Sequence, residues 1–330
     1  LTDKLFITGA TGFIGSQLAR RLCERYEVHA LTRNDKFMAN ANIHDVKYHS
    51  GDLTDVARLR EILAEIRPKI VVHLAAYTPV RFSYSSPYEY LTSNTLGTSK
   101  LVEVCLGLKH RVEQFVYAST AEVYGYTPNE KVIAWCEDDS PQCGTPYAIS
   151  KYAGELYVRY AGTRGLHYTI LRCTNTYGRS FELPDEARGY FVEKCILQML
   201  ANSKGVISFD GYASSSRRWM HYLDHVGAYD RVIGNPRTIN EIYNVAPQAL
   251  ESKATLGQVA EQIRLLTKFD GIVMWAKDPR PIDPNFLDID PSKIRSAVGW
   301  AASVPLTEGL AMTVEYWKEK LSKPTAVDTF

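Results

Sequence analysis

The sequence predicts an α/β protein: a doubly wound parallel sheet followed by a smaller C-terminal α/β lobe. Three observations lead there. Strand-like and helix-like patterns alternate from residue 4 to residue 172, the alternation opens on a turn holding three glycines, and the rhythm then fades into longer irregular stretches. Repeated β-α-β units require a parallel sheet covered by helices on both faces. With 330 residues, 45% of them apolar, the chain is long enough to bury the cores of two lobes.

Each element follows in order. Lys4 to Thr8 is a short strand-forming run that breaks into glycines. Ile14, Leu18 and Leu22 recur at helical spacing, and Val28, Ala30 and Leu31 supply the next strand. A third strand is expected from Val46 to Tyr48. Val56, Leu59, Ile62, Leu63 and Ile66 share one face of a helix beginning near Thr54, and Pro68 marks its stop. Then come a strand from Ile70 to Leu74, a long helical stretch between Tyr88 and Leu108, and a strand from Phe115 to Ala118. A helix from Pro146 to about Tyr160 and a strand from Tyr168 to Arg172 complete the run. The expected division is residues 1–172 for the first domain and 173–330 for the second lobe, with late segments free to return to the first sheet.

Composition narrows the function. The 38 Lys and Arg against 37 Asp and Glu leave a net charge of +1, with no surplus of cations for a nucleic-acid backbone. No apolar run approaches the roughly 20 residues that cross a bilayer. The chain opens on a strand pattern with no basic leader, so no membrane partner and a cytoplasmic location are expected. Cys23, Cys105, Cys136, Cys143, Cys173 and Cys195 are scattered, with no Cys-x-x-Cys pair and no His at zinc-ligand spacing, and read as reduced thiols with no metal site.

The turn Thr8-Gly9-Ala10-Thr11-Gly12-Phe13-Ile14-Gly15 joins the first strand to the first helix. Small residues let the backbone approach a ligand, and the helix N-terminus offers free N–H groups and partial positive charge. Gly9, Gly12 and Gly15 therefore suit the pyrophosphate of a dinucleotide. At the end of the second strand, an acid would bond the ribose 2′-hydroxyl of NAD, whereas an Arg accommodates the 2′-phosphate of NADP. The chain offers Thr32-Arg33-Asn34, which leans to NADP. Asp52, after the third strand, either accepts from the adenine amino group or starts the next helix.

Tyr147 and Lys151 lie four residues apart on a helix and share one face. A nearby ammonium favours phenolate and is expected to lower the phenol pKa from about 10 toward neutrality. The Tyr can then take and return a hydroxyl proton while hydride moves to or from a nicotinamide. Thr120 ends a strand at the carboxyl edge of the sheet, where it can bond the same substrate oxygen.

Together these residues resemble the extended short-chain dehydrogenase/reductase family, in its NAD-dependent nucleotide-sugar epimerase/dehydratase branch. The resemblance spans nearly the whole chain. It rests on the glycine turn, Asp52-Leu53, His73-Leu74-Ala75-Ala76, Asn94 before Gly97-Thr98, Thr120 with Val123-Tyr124-Gly125, and Tyr147 with Lys151. It implies a Rossmann-type fold with NAD held by Gly9, Gly12, Phe13, Ile14, Gly15, Asp52, Leu53, Leu74, Ala75, Ala76 and Asn94, besides Arg33, Tyr147 and Lys151. In the C-terminal half, Leu171 to Gly178, Arg217 to Asp224 and Arg280-Pro281-Ile282-Asp283 are similar to the same branch. They imply that Asn175, Arg217 and Arg280 hold a nucleotide diphosphate and that Asp283 contacts the nucleoside ribose.

The mechanism implied by the resemblance is oxidation of a nucleotide-diphosphate sugar, typically at C4, to a 4-keto sugar. Epimerases return hydride to the opposite face, dehydratases eliminate water from C5 and C6, and decarboxylases lose a C5 carboxylate. Similar dehydratases carry Asp-Glu directly after the Thr, whereas this chain has Ala121-Glu122 and lacks the acid for water loss. Related decarboxylases place an Arg shortly before the position of Asp290, where this chain has Asn285 to Ile289. Arg280 to Asp283 resembles 4-epimerases. The expected activity is 4-epimerisation, with Thr120, Tyr147 and Lys151 catalytic and Glu122 a further candidate. An NADP-dependent keto-sugar reductase, a dehydratase and a decarboxylase are the alternatives. The helices at 88–108 and 146–160 correspond to those that pair in dimers of similar proteins, so a homodimer is expected.

Overall fold

The computed structural model describes residues 2–33, 45–125, 134–179, 190–202, 204–249, 252–276 and 286–322. The first sheet holds β1 (Lys4–Thr8), β2 (Glu27–Thr32), β3 (Val46–Ser50), β4 (Ile70–His73), β5 (Gln114–Thr120) and β6 (Tyr168–Cys173). Three later strands lie outside it: β7 (Asn175–Tyr177), β8 (Val206–Asp210) and β9 (Ser216–His221). The chain then returns to it with β10 (Glu241–Val245), giving seven parallel strands in the order β10-β6-β5-β4-β1-β2-β3. Chain order reverses between β1 and β4. That switch point opens a crevice at the strands' carboxyl ends, where sheets of this kind bind ligands.

Alternation of side chains explains the two faces. Leu5 and Ile7 of β1 pack with Leu18 and Leu22 of α1 (Phe13–Leu22), whereas Phe6 packs with Leu59, Ile62 and Leu63 of α2 (Val56–Ile66). Leu101 and Val104 of α3 (Gly97–Leu106) and Val158 of α4 (Pro146–Thr163) join the second face. Strands buried on both sides must be apolar throughout, and β4 is the run Ile70-Val71-Val72-His73.

After α5 (Phe191–Ala201), a second group of strands builds around β9. That strand pairs with β7, with β11 (Lys253–Thr255) and with β13 (Phe286–Leu287), while β8 pairs with β12 (Ile272–Ala276). Its core gathers Val192 and Ile196 of α5, Val259 and Ile263 of α7 (Leu256–Thr267), and Leu310, Val314 and Trp317 of α9 (Leu306–Ser322). Two helices lean back on the first sheet: α6 (Tyr222–Val232) through Tyr229 and Val232, and α8 (Ser292–Val298) through Ile294.

The long helical stretch expected from Tyr88 to Leu108 is divided. A turn at Pro87–Tyr90 leads into π-helical residues Leu91–Leu96 before α3 begins. The wider turn carries Asn94 inward, where it is fully buried. All six cysteines are free. No helix among the described residues is long and apolar enough to cross a membrane.

Candidate active site

The turn after β1 is shaped by what cannot fit there. Gly9 has φ +76°, and a Cβ on it would lie 2.7 Å from the Ala75 backbone nitrogen. A Cβ on Gly15 would collide with the Gly9 carbonyl oxygen. Gly9 therefore lets the turn close onto the loop after β4, and Gly15 lets the start of α1 close onto the turn itself. Gly12 donates to the Gly9 carbonyl at 3.0 Å and caps α1 with no side chain of its own. The resulting cradle, with helical N–H groups at its lip, fits a dinucleotide pyrophosphate. Phe13 and Ile14 open α1, and the Phe13 ring lies 6.0 Å from Tyr190 and 6.4 Å from Tyr222.

The far wall of the crevice is pinned by buried polar groups. His73 bridges Thr8, with Nδ1 2.6 Å from Oγ1, to Thr98, with Nε2 2.9 Å from Oγ1. Burial and the Lys151 charge pull this imidazole down to about 3, so it is neutral. Leu74 and Ala75 donate backbone N–H bonds to the Thr8 carbonyl and hydroxyl, and Ala76 follows half-buried. Asn94 accepts from Tyr77 N–H at 2.8 Å and donates to the Tyr77 carbonyl and Ser150 hydroxyl. The structure thus gives Asn94 the work of tying the β4 loop to α4.

At the open rim, Arg33 Nη1 lies 3.8 Å from Asp52 Oδ2, and both side chains are exposed. Asp52 also caps its own turn, its Oδ1 accepting from the N–H and hydroxyl of Thr54. Leu53 beside it is half-buried.

Thr120, Tyr147 and Lys151 meet where β5 ends beside α4. Thr145 caps α4 by accepting from Ala148 N–H at 3.0 Å, and Pro146 pre-sets its first turn, which places Tyr147 at the helix mouth. All three site residues are buried. The Thr120 hydroxyl lies near enough to the Tyr147 phenol to influence it and accepts from Glu122 N–H at 3.2 Å. Lys151 Nζ sits 4.4 Å over the Tyr117 ring, and the Tyr117 hydroxyl donates to the Lys151 carbonyl at 3.0 Å.

One expectation is corrected here. Burial pushes the Tyr147 phenol well above its ordinary range, with the Thr120 hydroxyl opposing and the Glu122 charge adding to the rise. Lys151 is itself drawn down to about 7 by burial, against the pull of Glu155 and Cys173. Spacing alone suggested that the cation would acidify the phenol. In the folded protein desolvation sets the direction of the shift, and Lys151 is not among the groups that move the phenol.

Two residues that the sequence reading did not assign to the site stand directly behind these groups. Glu155 and Arg172 form a fully buried ion pair, Nη2 to Oε1 at 2.5 Å. The signal for Glu155 was its place one helical turn beyond Lys151; Arg172 on β6 carried no local signal. Of the expected substrate residues, Asn175 starts β7 and Arg217 lies on β9, two residues from Asn175's partner Trp219 and so on the same side of the strand. Arg217 is buried and donates to the Ser216 carbonyl at 2.7 Å. Arg280 and Asp283 lie outside the described residues.

The family model for the NAD dependent epimerase/dehydratase family matches residues 5–246. The chain belongs to that family. Among relatives, a dTDP-glucose 4,6-dehydratase of Streptomyces antibioticus is 30% identical, over 96% of this chain and 92% of its own. The structure of UDP-glucose 4-epimerase from Thermotoga maritima with UDP-glucose superposes with a TM-score of 0.85 at 27% identity, covering 96% of this chain and 99% of that one. The Thermus thermophilus UDP-glucose 4-epimerase, solved with NAD, gives 0.83 at 28% identity, covering 96% and 99%. Proteins named as epimerases and as dehydratases are thus both similar to this chain over nearly its whole length.

Proposed function

We propose that this chain is an NAD-dependent nucleotide-sugar 4-epimerase. The observation that carries the reading is Ala121. It is buried in the turn between Thr120 and Glu122, and its methyl group has no proton to give a departing hydroxyl. Epimerisation needs none. The glycine cradle, Leu74 to Ala76 and the Asp52 rim would hold NAD, which when bound supplies the acceptor and donor of hydride. With Asp52 facing Arg33 at 3.8 Å, a 2′-phosphate would meet a carboxylate, which supports NAD over NADP.

Within that frame Thr120 holds the C4 oxygen of the sugar, and Tyr147, once its own phenolic proton has left to solvent, takes the sugar's proton and returns it after the keto sugar has turned over. Lys151, at about 7, titrates where a proton relay is most responsive. Asn175 and Arg217 hold the diphosphate, with Arg280 and Asp283 proposed beside them; a guanidinium fork matches phosphate oxygens. Glu122 orients Thr120 through the turn they share. The proposed homodimer is supported by Ile149, Leu156 and Tyr160, exposed at helical spacing along α4. Sedimentation as a monomer would refute it.

The deciding experiment is product analysis with UDP-, dTDP-, GDP- and CDP-sugars. Formation of the C4 isomer without net redox change is expected. Dehydration is the second reading, favoured by the Streptomyces relative, and a 4-keto-6-deoxy product would establish it instead. Tyr147→Phe should slow turnover by about 10²- to 10⁴-fold with sugar binding retained.

A further inference from the structure

Behind the proton-transfer residues lies a polar assembly that the proposed mechanism leaves unused. Glu155 follows Lys151 by one turn of α4 and is fully buried. Arg172 holds it through two bonds, Nη2 to Oε1 at 2.5 Å and Nε to Oε2 at 3.1 Å. Ser119, the neighbour of Thr120, donates to Oε2 at 2.8 Å. The remaining guanidinium nitrogen turns away from α4, donating to the Tyr124 hydroxyl at 2.7 Å and the Glu137 carbonyl at 3.4 Å. Tyr124 in turn donates to Asn244 Oδ1 of β10 at 2.8 Å. The ion pair is therefore an oriented dipole, its carboxylate on the helix that carries Lys151 and its cation braced against β10.

We propose that Glu155, locked by Arg172 and Ser119, is the positioning residue that keeps Lys151 protonated near neutral pH. The groups around Lys151 leave this task to Glu155. From β5 it meets the Tyr117 ring, from β6 the Cys173 thiol, from β4 the neutral His73, from α6 the Tyr229 phenol, and on its own helix Tyr147. Burial holds the three phenols and the thiol in their uncharged forms. Glu155 is the carboxylate of this set, and Lys151 responds to it with a raised affinity for its proton, against the burial that draws the amine down. Arg172 fixes the carboxylate without taking its place beside the lysine. The consequence for turnover rests on the role proposed above for Lys151.

The test follows Lys151 itself. In the full chain labelled with ε-¹³C lysine and free of dinucleotide and sugar, the Lys151 resonance is assigned by its loss in Lys151→Met and titrated with pH. Removing an opposite charge this close is expected to lower its midpoint by about one pH unit or more in Glu155→Gln. That variant leaves Arg172 unpaired, so Glu155→Gln/Arg172→Met, which removes both charges, is measured beside it with a smaller downward shift expected, because loss of the guanidinium partly offsets loss of the carboxylate. The alkaline limb of kcat should move to lower pH by the same amount. A Lys151 midpoint unchanged in both variants overturns the proposal. A midpoint that moves while the kcat profile stays fixed upholds the action of Glu155 on Lys151 and removes Lys151 from the proton transfer.

Discussion

Two Arg-carboxylate pairs stand at opposite ends of the crevice, and they differ chiefly in water. Arg172 and Glu155 retain 2% and 0% of their side-chain exposure, and two contacts hold them together. Arg33 and Asp52 retain 66% and 39% and approach only to 3.8 Å. Removing one partner of a buried pair strands a charge that water cannot reach. An exposed pair is screened, and each member is hydrated without the other. The wall beneath Tyr147 is therefore intolerant of change, while the rim over the second strand can be rewired at little cost to the fold.

The largest test of this contrast is Arg172→Ala. It leaves Glu155 charged or forces it to protonate, and either way the native state should lose about 3–5 kcal/mol. Urea unfolding measures it; a loss under about 1 kcal/mol would place the buried pair in the exposed class. Glu193 sharpens the contrast as a buried acid with no ion-pair partner among the described residues. Its Oε1 accepts from Gly178 N–H at 2.9 Å, its Oε2 has no partner among the described residues, and burial pushes it up to about 7. Its folded pKa lies above its unfolded value of about 4.5, so the native state binds the extra proton between those values. Stability should fall as pH rises through that window. Glu193→Gln removes the dependence and should gain on the wild type by roughly 3 kcal/mol between pH about 4.5 and 8. Parallel stability curves for the two proteins would contradict the assignment.

Next in size is Gly15→Ala. The added methyl meets the Gly9 carbonyl, and relief requires a backbone shift in the cradle. Overpacking of this kind costs about 1–3 kcal/mol. Titration calorimetry should find weakened dinucleotide binding, and unchanged affinity would mean that the pyrophosphate does not use this turn.

These residues also mark what was legible in the sequence. The glycine turn, the alternation of elements and the Tyr147/Lys151 spacing are local patterns, fixed by neighbours a turn or a strand away. The return of β10 to the first sheet, the Arg172 grip on Glu155 and the bracket Asn94 forms between Tyr77 and Ser150 join distant segments, which periodicity does not report. The direction of the Tyr147 shift was missed for a different reason. Spacing reveals a nearby charge but not how much water has been removed from it, and here desolvation is the larger effect.

The smallest expected effect belongs to the rim. Arg33→Ala should change stability by no more than about 1 kcal/mol, because the guanidinium is mostly hydrated and its partner stays capped by Thr54. Asp52→Asn is the more telling change. It leaves Arg33 without its carboxylate and removes the charge that a 2′-phosphate would meet, so NADP should gain on NAD while the unfolding midpoint stays nearly fixed. Competitive binding of the two dinucleotides reads the first and denaturation the second. If Asp52→Asn instead destabilised the chain as severely as Arg172→Ala, exposure would not be what separates the two pairs, and the rim would have to be treated as part of the structural wall.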